Sequence, residues 1–202
     1  MHKTVILDLG KVIVPFDFQR GYRALAEYSP LPIEEMPNRI RATGLVVPFE
    51  TGQIEARDFV EQFTAALDAR MSYEEFCRVW SSIFLPETLI PQELVAGLRS
   101  RYRMVLLSNT NSIHFEMIRE NYPILRHFDE YVVSYEVGAL KPSPKIYDAA
   151  IRAARCEPGE CFFADDIPEY VEGARRAGID AVQFLNAGQL QADLQERGIR
   201  WN

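Results

Sequence analysis

Cysteine and histidine are both scarce in this chain, three of each in 202 residues. The cysteines, Cys77, Cys156 and Cys161, are odd in number and contain no Cys-x-x-Cys pair. That excludes a disulfide framework and a cysteine-ligated zinc site, and free thiols suit a reducing cytoplasm. His2, His114 and His127 form no Ser/His/Asp pattern. Long apolar runs are missing as well. The first one, Thr4-Val5-Ile6-Leu7, stops at Asp8 and is too short for a membrane span or a signal peptide. Positive charge is in deficit: 22 Lys and Arg stand against 29 Asp and Glu, for a net charge of -7. Neither nucleic acid nor an anionic membrane is attracted to such a surface, whereas a small anion in a local basic pocket is compatible with it. There is no internal repeat and no low-complexity tract.

What is present is an ordinary globular composition, 48% hydrophobic and 25% charged, long enough to bury a core without staples. Thr4-Val5-Ile6-Leu7 reads as a strand buried on both faces. From 16 to 87 the spacing turns helical. Phe59, Val60, Phe63 and Leu67 make one apolar stripe, Phe76, Val79, Trp80 and Ile83 another, and Thr51-Gly52 marks a turn. Beyond residue 91 strands and helices alternate. Strands are expected at Met104–Leu107, Glu130–Val133, Cys161–Ala164 and Ala181–Phe184, with helices between them. Ser143-Pro144 reads as a helix start with Ser143 as the cap. Such alternation predicts an α/β fold, a Rossmann-like, doubly wound parallel sheet. The core is expected in 1–15 and 88–202, with 16–87 inserted after the first strand as a helical cap.

In such a sheet, ligands bind beyond the carboxyl ends of the strands. The polar residues expected there are Asp8, then Ser108, Asn109 and Thr110, then Lys141, then Asp165 and Asp166. Taken alone, each has a plainer explanation. Asp166, for instance, reads as the cap of a helix beginning near Pro168. All of them falling on one rim is what makes a site. The aromatics Phe49 and Trp80 and the thiol of Cys77 are expected in the core, and Arg39 and Arg41 on the surface.

Val5-Ile6-Leu7-Asp8-Leu9-Gly10, Leu106-Leu107-Ser108-Asn109-Thr110, Gly138-Ala139-Leu140-Lys141-Pro142 and Phe163-Ala164-Asp165-Asp166 occur in that order. Together they resemble the four motifs of the haloacid dehalogenase superfamily, and the resemblance spans nearly the whole chain. Leu-Ser-Asn-Thr-Asn with His114, and Phe49-Glu50-Thr51-Gly52-Gln53-Ile54, look most like the α-D-glucose-1-phosphate phosphatase branch. The resemblance implies a phosphatase acting on a small phosphorylated metabolite, plausibly a sugar 1-phosphate. It makes Asp8 the nucleophile that forms an aspartyl-phosphate. Mg²⁺ is held by Asp8, the Gly10 carbonyl and Asp166, with Asp165 beside them. Ser108 and the Asn109 amide bind the phosphoryl oxygens, and Lys141 bridges phosphate and Asp8.

One position departs from the pattern. The family usually carries a second aspartate, a general acid/base, two residues after the nucleophile, and here that residue is Gly10. Two rival readings follow. A 2-haloacid dehalogenase needs no acid for a halide leaving group, although it also needs no metal and commonly has Tyr at that position. A non-catalytic binding protein is supported by Gly10 alone.

Overall fold

The computed structural model describes all 202 residues. Its centre is a five-stranded parallel sheet. The strands are β1 (Thr4–Leu7), β2 (Arg103–Ser108), β3 (Glu130–Val133), β4 (Cys161–Asp165) and β5 (Asp180–Gln183), in the spatial order β3-β2-β1-β4-β5. The side chains of these strands alternate between two cores, as period-two geometry requires. Val5, Leu7, Met104, Leu106, Phe162 and Ala164 face one layer of helices. Ile6, Val105, Leu107, Phe163 and Ala181 face the other. With both faces covered, the strands read as unbroken apolar runs.

Eleven helices accompany the sheet: α1 (Phe18–Ala26), α2 (Met36–Thr43), α3 (Val46–Glu50), α4 (Ala56–Ala66), α5 (Tyr73–Trp80), α6 (Gln92–Arg99), α7 (Ser112–Asn121), α8 (Ser134–Val137), α9 (Pro144–Ala154), α10 (Pro168–Arg176) and α11 (Ala187–Glu196). None is long and apolar enough to cross a membrane. Helices α1 to α5 lie between β1 and β2 and build a core of their own. Leu25, Met36, Phe49, Phe59, Phe63, Leu67 and Phe76 are all buried in it, and Ile113 of α7 joins from outside. Fully burying one such side chain contributes roughly 1.5–3 kcal/mol, so this segment carries its own stabilising cluster. Helix α5 begins with a capping box, Ser72 and Glu75 each bonding the other's main-chain N–H.

Gly52 ties this helical segment to the sheet. Its φ of +67° is left-handed, and an added Cβ would lie 2.1 Å from the Tyr135 carbonyl oxygen. Only glycine fits a turn pressed that closely against α8. At the expected helix start, Ser143 occupies the cap position of α9, but its hydroxyl makes no capping bond; Pro144 sets the first turn instead.

Candidate active site

The sheet order changes direction at β1, which has β2 on one side and β4 on the other. Ligand crevices form at such a switch point. Leu7 pairs with Ala164, so the next residues, Asp8 and Asp165, emerge side by side. The Asp8 N–H donates to the Ala164 carbonyl at 3.0 Å, fixing that exit. On the other flank, Leu7 pairs with Leu106 and Ser108 emerges two residues further on. One carboxylate oxygen from each of Asp8, Asp165 and Asp166 lies within 4.8 Å of the other two.

Lys141 closes this group. Its Nζ donates to Asp8 Oδ1 and to Asp165 Oδ2, both at 2.6 Å, and to the Leu107 carbonyl at 3.2 Å. These three bonds use all three donors of the ammonium. A phosphoryl oxygen reaches Lys141 only by replacing one of them. Burial works against the lysine's charge, yet Asp8 and Asp165 overcome it and hold the ammonium above its ordinary pKa. Burial pushes Asp8 up to about 7, opposed by Lys141 and reinforced by Asp165. Asp166 is raised too, by burial and then by Asp165. With the carboxylates ionised, three negative charges face one buried positive charge, and the exposed Lys11 acts only on Asp166 from the solvent side. A hard divalent cation supplies the missing two, and all the donors are oxygens, so Mg²⁺ fits the site.

The Asn109 side chain is engaged by the Lys141 main chain. Its side-chain carbonyl accepts the Lys141 N–H at 2.8 Å, and its side-chain amide donates to the Lys141 carbonyl at 3.2 Å and to Tyr170 Oη at 3.3 Å. The side-chain amide is therefore not aimed at a phosphoryl group; it clamps the lysine's main chain in place. Ser108 is buried, and its hydroxyl makes only a long 3.4 Å contact to the Asn109 carbonyl, so it is free to turn. Asp166 is not the cap of α10; that position belongs to Ile167, whose N–H donates to Asp165 Oδ1 at 2.9 Å. Tyr170 carries no sequence signal. Its ring lies under the Lys141 ammonium, 5.1 Å from centroid to nitrogen, and stabilises the cation there.

A chamber of about 390 Å³ opens beside this cluster, between the sheet and the helical segment. Gly10, Ser108 and Asn109 line its inner end, and Phe16, Trp80 and Phe84 are among its apolar walls. Trp80, expected in the core, is in part a wall of this chamber, and Arg41 borders it as well. His114 joins the chamber's two sides. Its Nε2 donates to the Trp80 carbonyl at 3.0 Å, and its Nδ1 faces the Asn111 amide at 3.2 Å. Burial lowers this histidine to about 4, so the neutral ring bonds in that tautomer at neutral pH.

The family model for haloacid dehalogenase-like hydrolases matches residues 2–178. The chain belongs to that family. D-ribitol-5-phosphate phosphatase of Bacteroides thetaiotaomicron is 26% identical over 200 residues, covering 96% of this chain and 97% of that protein. Phosphatase MT3486 of Mycobacterium tuberculosis is 26% identical over 200 residues, covering 92% of this chain and 88% of that one. The crystal structure of a haloacid dehalogenase family enzyme from Bacteroides thetaiotaomicron, in complex with magnesium and inorganic phosphate, superposes with a TM-score of 0.82. It is 25% identical, and the match covers 92% of this chain and 96% of that one. The chain is a phosphatase, a phosphoric monoester hydrolase, and its Asp8, Asp165 and Asp166 carboxylates form a cluster suited to Mg²⁺.

Proposed function

We propose that this phosphatase works through an aspartyl-phosphate on Asp8, with residues 16–87 acting as a cap over a core of 1–15 and 88–202. One observation carries the reading: Asp8, Lys141, Asp165 and Asp166 meet at the switch point of the sheet. Asp8 Oδ forms a bond to phosphorus as the bond to the leaving oxygen breaks, and water then cleaves the acyl-phosphate to release inorganic phosphate. Asp8, Asp166 and the Gly10 carbonyl, with Asp165 adjoining, would hold Mg²⁺, which would offset the charge of the phosphoryl group. Lys141 orients the attacking carboxylate and bonds the phosphoryl oxygens, trading one of its present partners. Ser108 Oγ and the main-chain N–H of Asn109 are the further phosphate donors. Three free thiols are compatible with a reducing cytoplasm.

The substrate is a small phosphorylated sugar or polyol, with sugar 1-phosphates preferred. Gly10 offers no side chain to protonate a leaving alkoxide, and such help is typically worth ~10²–10⁴-fold. An anomeric oxygen leaves more readily than an ordinary alcohol, and a loose transition state makes the rate sensitive to that difference. The same argument supports the resemblance to the α-D-glucose-1-phosphate phosphatase branch. A polyol 5-phosphate is the second reading, favoured by the ribitol-5-phosphate phosphatase relative. Steady-state rates on glucose 1-phosphate, glucose 6-phosphate and ribitol 5-phosphate with Mg²⁺ separate the two. Equal rates on the two glucose phosphates would remove the leaving-group argument. An acid-quenched turnover with no phosphate on the Asp8 peptide would remove the covalent step.

A further inference from the structure

Glu50 ends α3 on the wall of the chamber. It is half-buried, and no side chain or main-chain group of the protein bonds its carboxyl. Burial alone raises it, up to about 7. The chamber's other polar groups are largely committed. Both His114 nitrogens face protein partners, and the Asn109 side chain is spent on Lys141 and Tyr170. Arg41 bonds Asn38 on the exposed side and does not act on Glu50. An apolar, aromatic-walled space next to the reaction centre thus contains a carboxyl with nothing in the protein to bind.

We propose that Glu50 is a specificity-determining residue that bonds the hydroxyls of a neutral, polyhydroxylated leaving group and rejects one bearing a carboxylate or a second phosphate. The proposal rests on the phosphatase reading above. A carboxyl near half-protonation both donates to and accepts from hydroxyls, while the aromatic walls cover the carbon framework between them. An anionic leaving group would bring like charge against Glu50 in a largely apolar space whose one arginine, Arg41, is turned toward Asn38. The substrates that fit are monophosphates of sugars or polyols, and phosphoglycerate-like acids are excluded.

The test compares wild type, Glu50→Gln and Glu50→Leu with Mg²⁺ on glucose 1-phosphate, ribitol 5-phosphate, 3-phosphoglycerate and p-nitrophenyl phosphate, which has no aliphatic hydroxyl. Glu50→Leu is expected to lower kcat/KM about 10–100-fold on the better hydroxylated substrate, mainly through KM. The aryl phosphate should change by less than about threefold, because it never used the carboxyl. Glu50→Gln keeps hydrogen bonding and loses the charge. It should retain most activity on the hydroxylated substrate and gain at least ~10-fold on 3-phosphoglycerate. Equal losses on all substrates, unchanged selectivity, or a wild-type preference for 3-phosphoglycerate would overturn the proposal. Turnover of the aryl phosphate with no effect of Glu50 on selectivity removes this inference and leaves the phosphatase reading standing. No phosphate release from any substrate removes both.

Discussion

Replacing Lys141 by Met removes the one cation from the carboxylate cluster and keeps most of the aliphatic stem. The side chain of Lys141 is 1% exposed and its ammonium lies 2.6 Å from carboxylates that are 9% and 0% exposed. Deleting one partner of a buried pair typically costs ~3–5 kcal/mol, because the remaining charge is left unpaired. Two carboxylates are stranded here. Asp8, already raised to about 7, relieves part of the cost by taking up a proton. In a chain of this size each kcal/mol moves the midpoint by about 2–4 °C, so melting in EDTA should fall by about 6–20 °C. Mg²⁺ should then stabilise the variant more than wild type, since it now neutralises a cluster one charge more negative; at 100 times Kd the gain from binding alone is about 2.7 kcal/mol. Turnover should stay at background in both conditions. Thermal scans with EDTA and with saturating Mg²⁺ decide the matter. A variant that melts within about 2 °C of wild type in EDTA would show that the two short ion pairs contribute no net stability, and the charge argument for the metal would fall with it.

Asp8→Asn keeps the shape and removes the attacking charge, so phosphate release should drop to background while the protein melts no lower than wild type in EDTA; more than a few per cent residual activity would end the nucleophile assignment. Asp166→Asn should weaken metal affinity, with excess Mg²⁺ restoring part of the rate, and full activity of EDTA-treated wild type would remove the metal from the reaction. Glu50 holds a proton in the folded chain between about pH 4.5 and 7 that the unfolded chain has lost. Its contribution to stability is therefore complete below pH 4.5 and lost as pH rises through 7. Glu50→Gln should flatten that part of the curve and gain about 1–3 kcal/mol over wild type above pH 8; parallel denaturation curves across the window would count against a half-buried, unpaired Glu50.

The motif residues were legible because parallel strands buried on both faces read as apolar runs, and chemistry gathers where such a run stops. Asp8, Ser108 and Asp165 are the residues at which three of these runs end or turn polar. The long stripes of α4 and α5 were legible for a similar reason, each repeating over two turns or more. Helices α2 and α3 were not. The first buries only Met36 and the second only Phe49, so neither has a period to detect. Side-chain direction in loops was equally hidden. Asn109 sits where the pattern places it, but whether its amide faces a phosphate or the Lys141 main chain depends on how far apart two loops settle. Tyr170 and Glu50 reach the site from elements whose position over the rim is set by tertiary packing. Nothing in the local sequence marks Tyr170, and the Phe49–Ile54 pattern that contains Glu50 does not say which way its side chain points.

Gly10 links the chemistry of the site to the shape of the chamber. A Cβ there would lie 2.9 Å from Cε1 of Phe16. That ring would have to shift, and it packs against the exposed Phe18 at 5.1 Å and against Phe84 at 6.1 Å and carries the Lys11 ammonium at 5.1 Å. The side chain that a larger residue 10 would displace is therefore the same one that walls the chamber beside the leaving group. It follows that Gly10→Asp alone mixes two effects, a gained acid and a displaced wall. Combined with Phe16→Ala it gains the acid in a space that can hold it. The ratio of glucose 1-phosphate to glucose 6-phosphate rates should fall further in the double variant than in either single one, by up to the ~10²-fold lower bound of general acid help. Phe16→Ala alone should leave that ratio nearly unchanged, since it adds no proton donor. A ratio that falls as much with Phe16→Ala alone as in the double variant would mean that the wall, and not the missing acid, selects the leaving group.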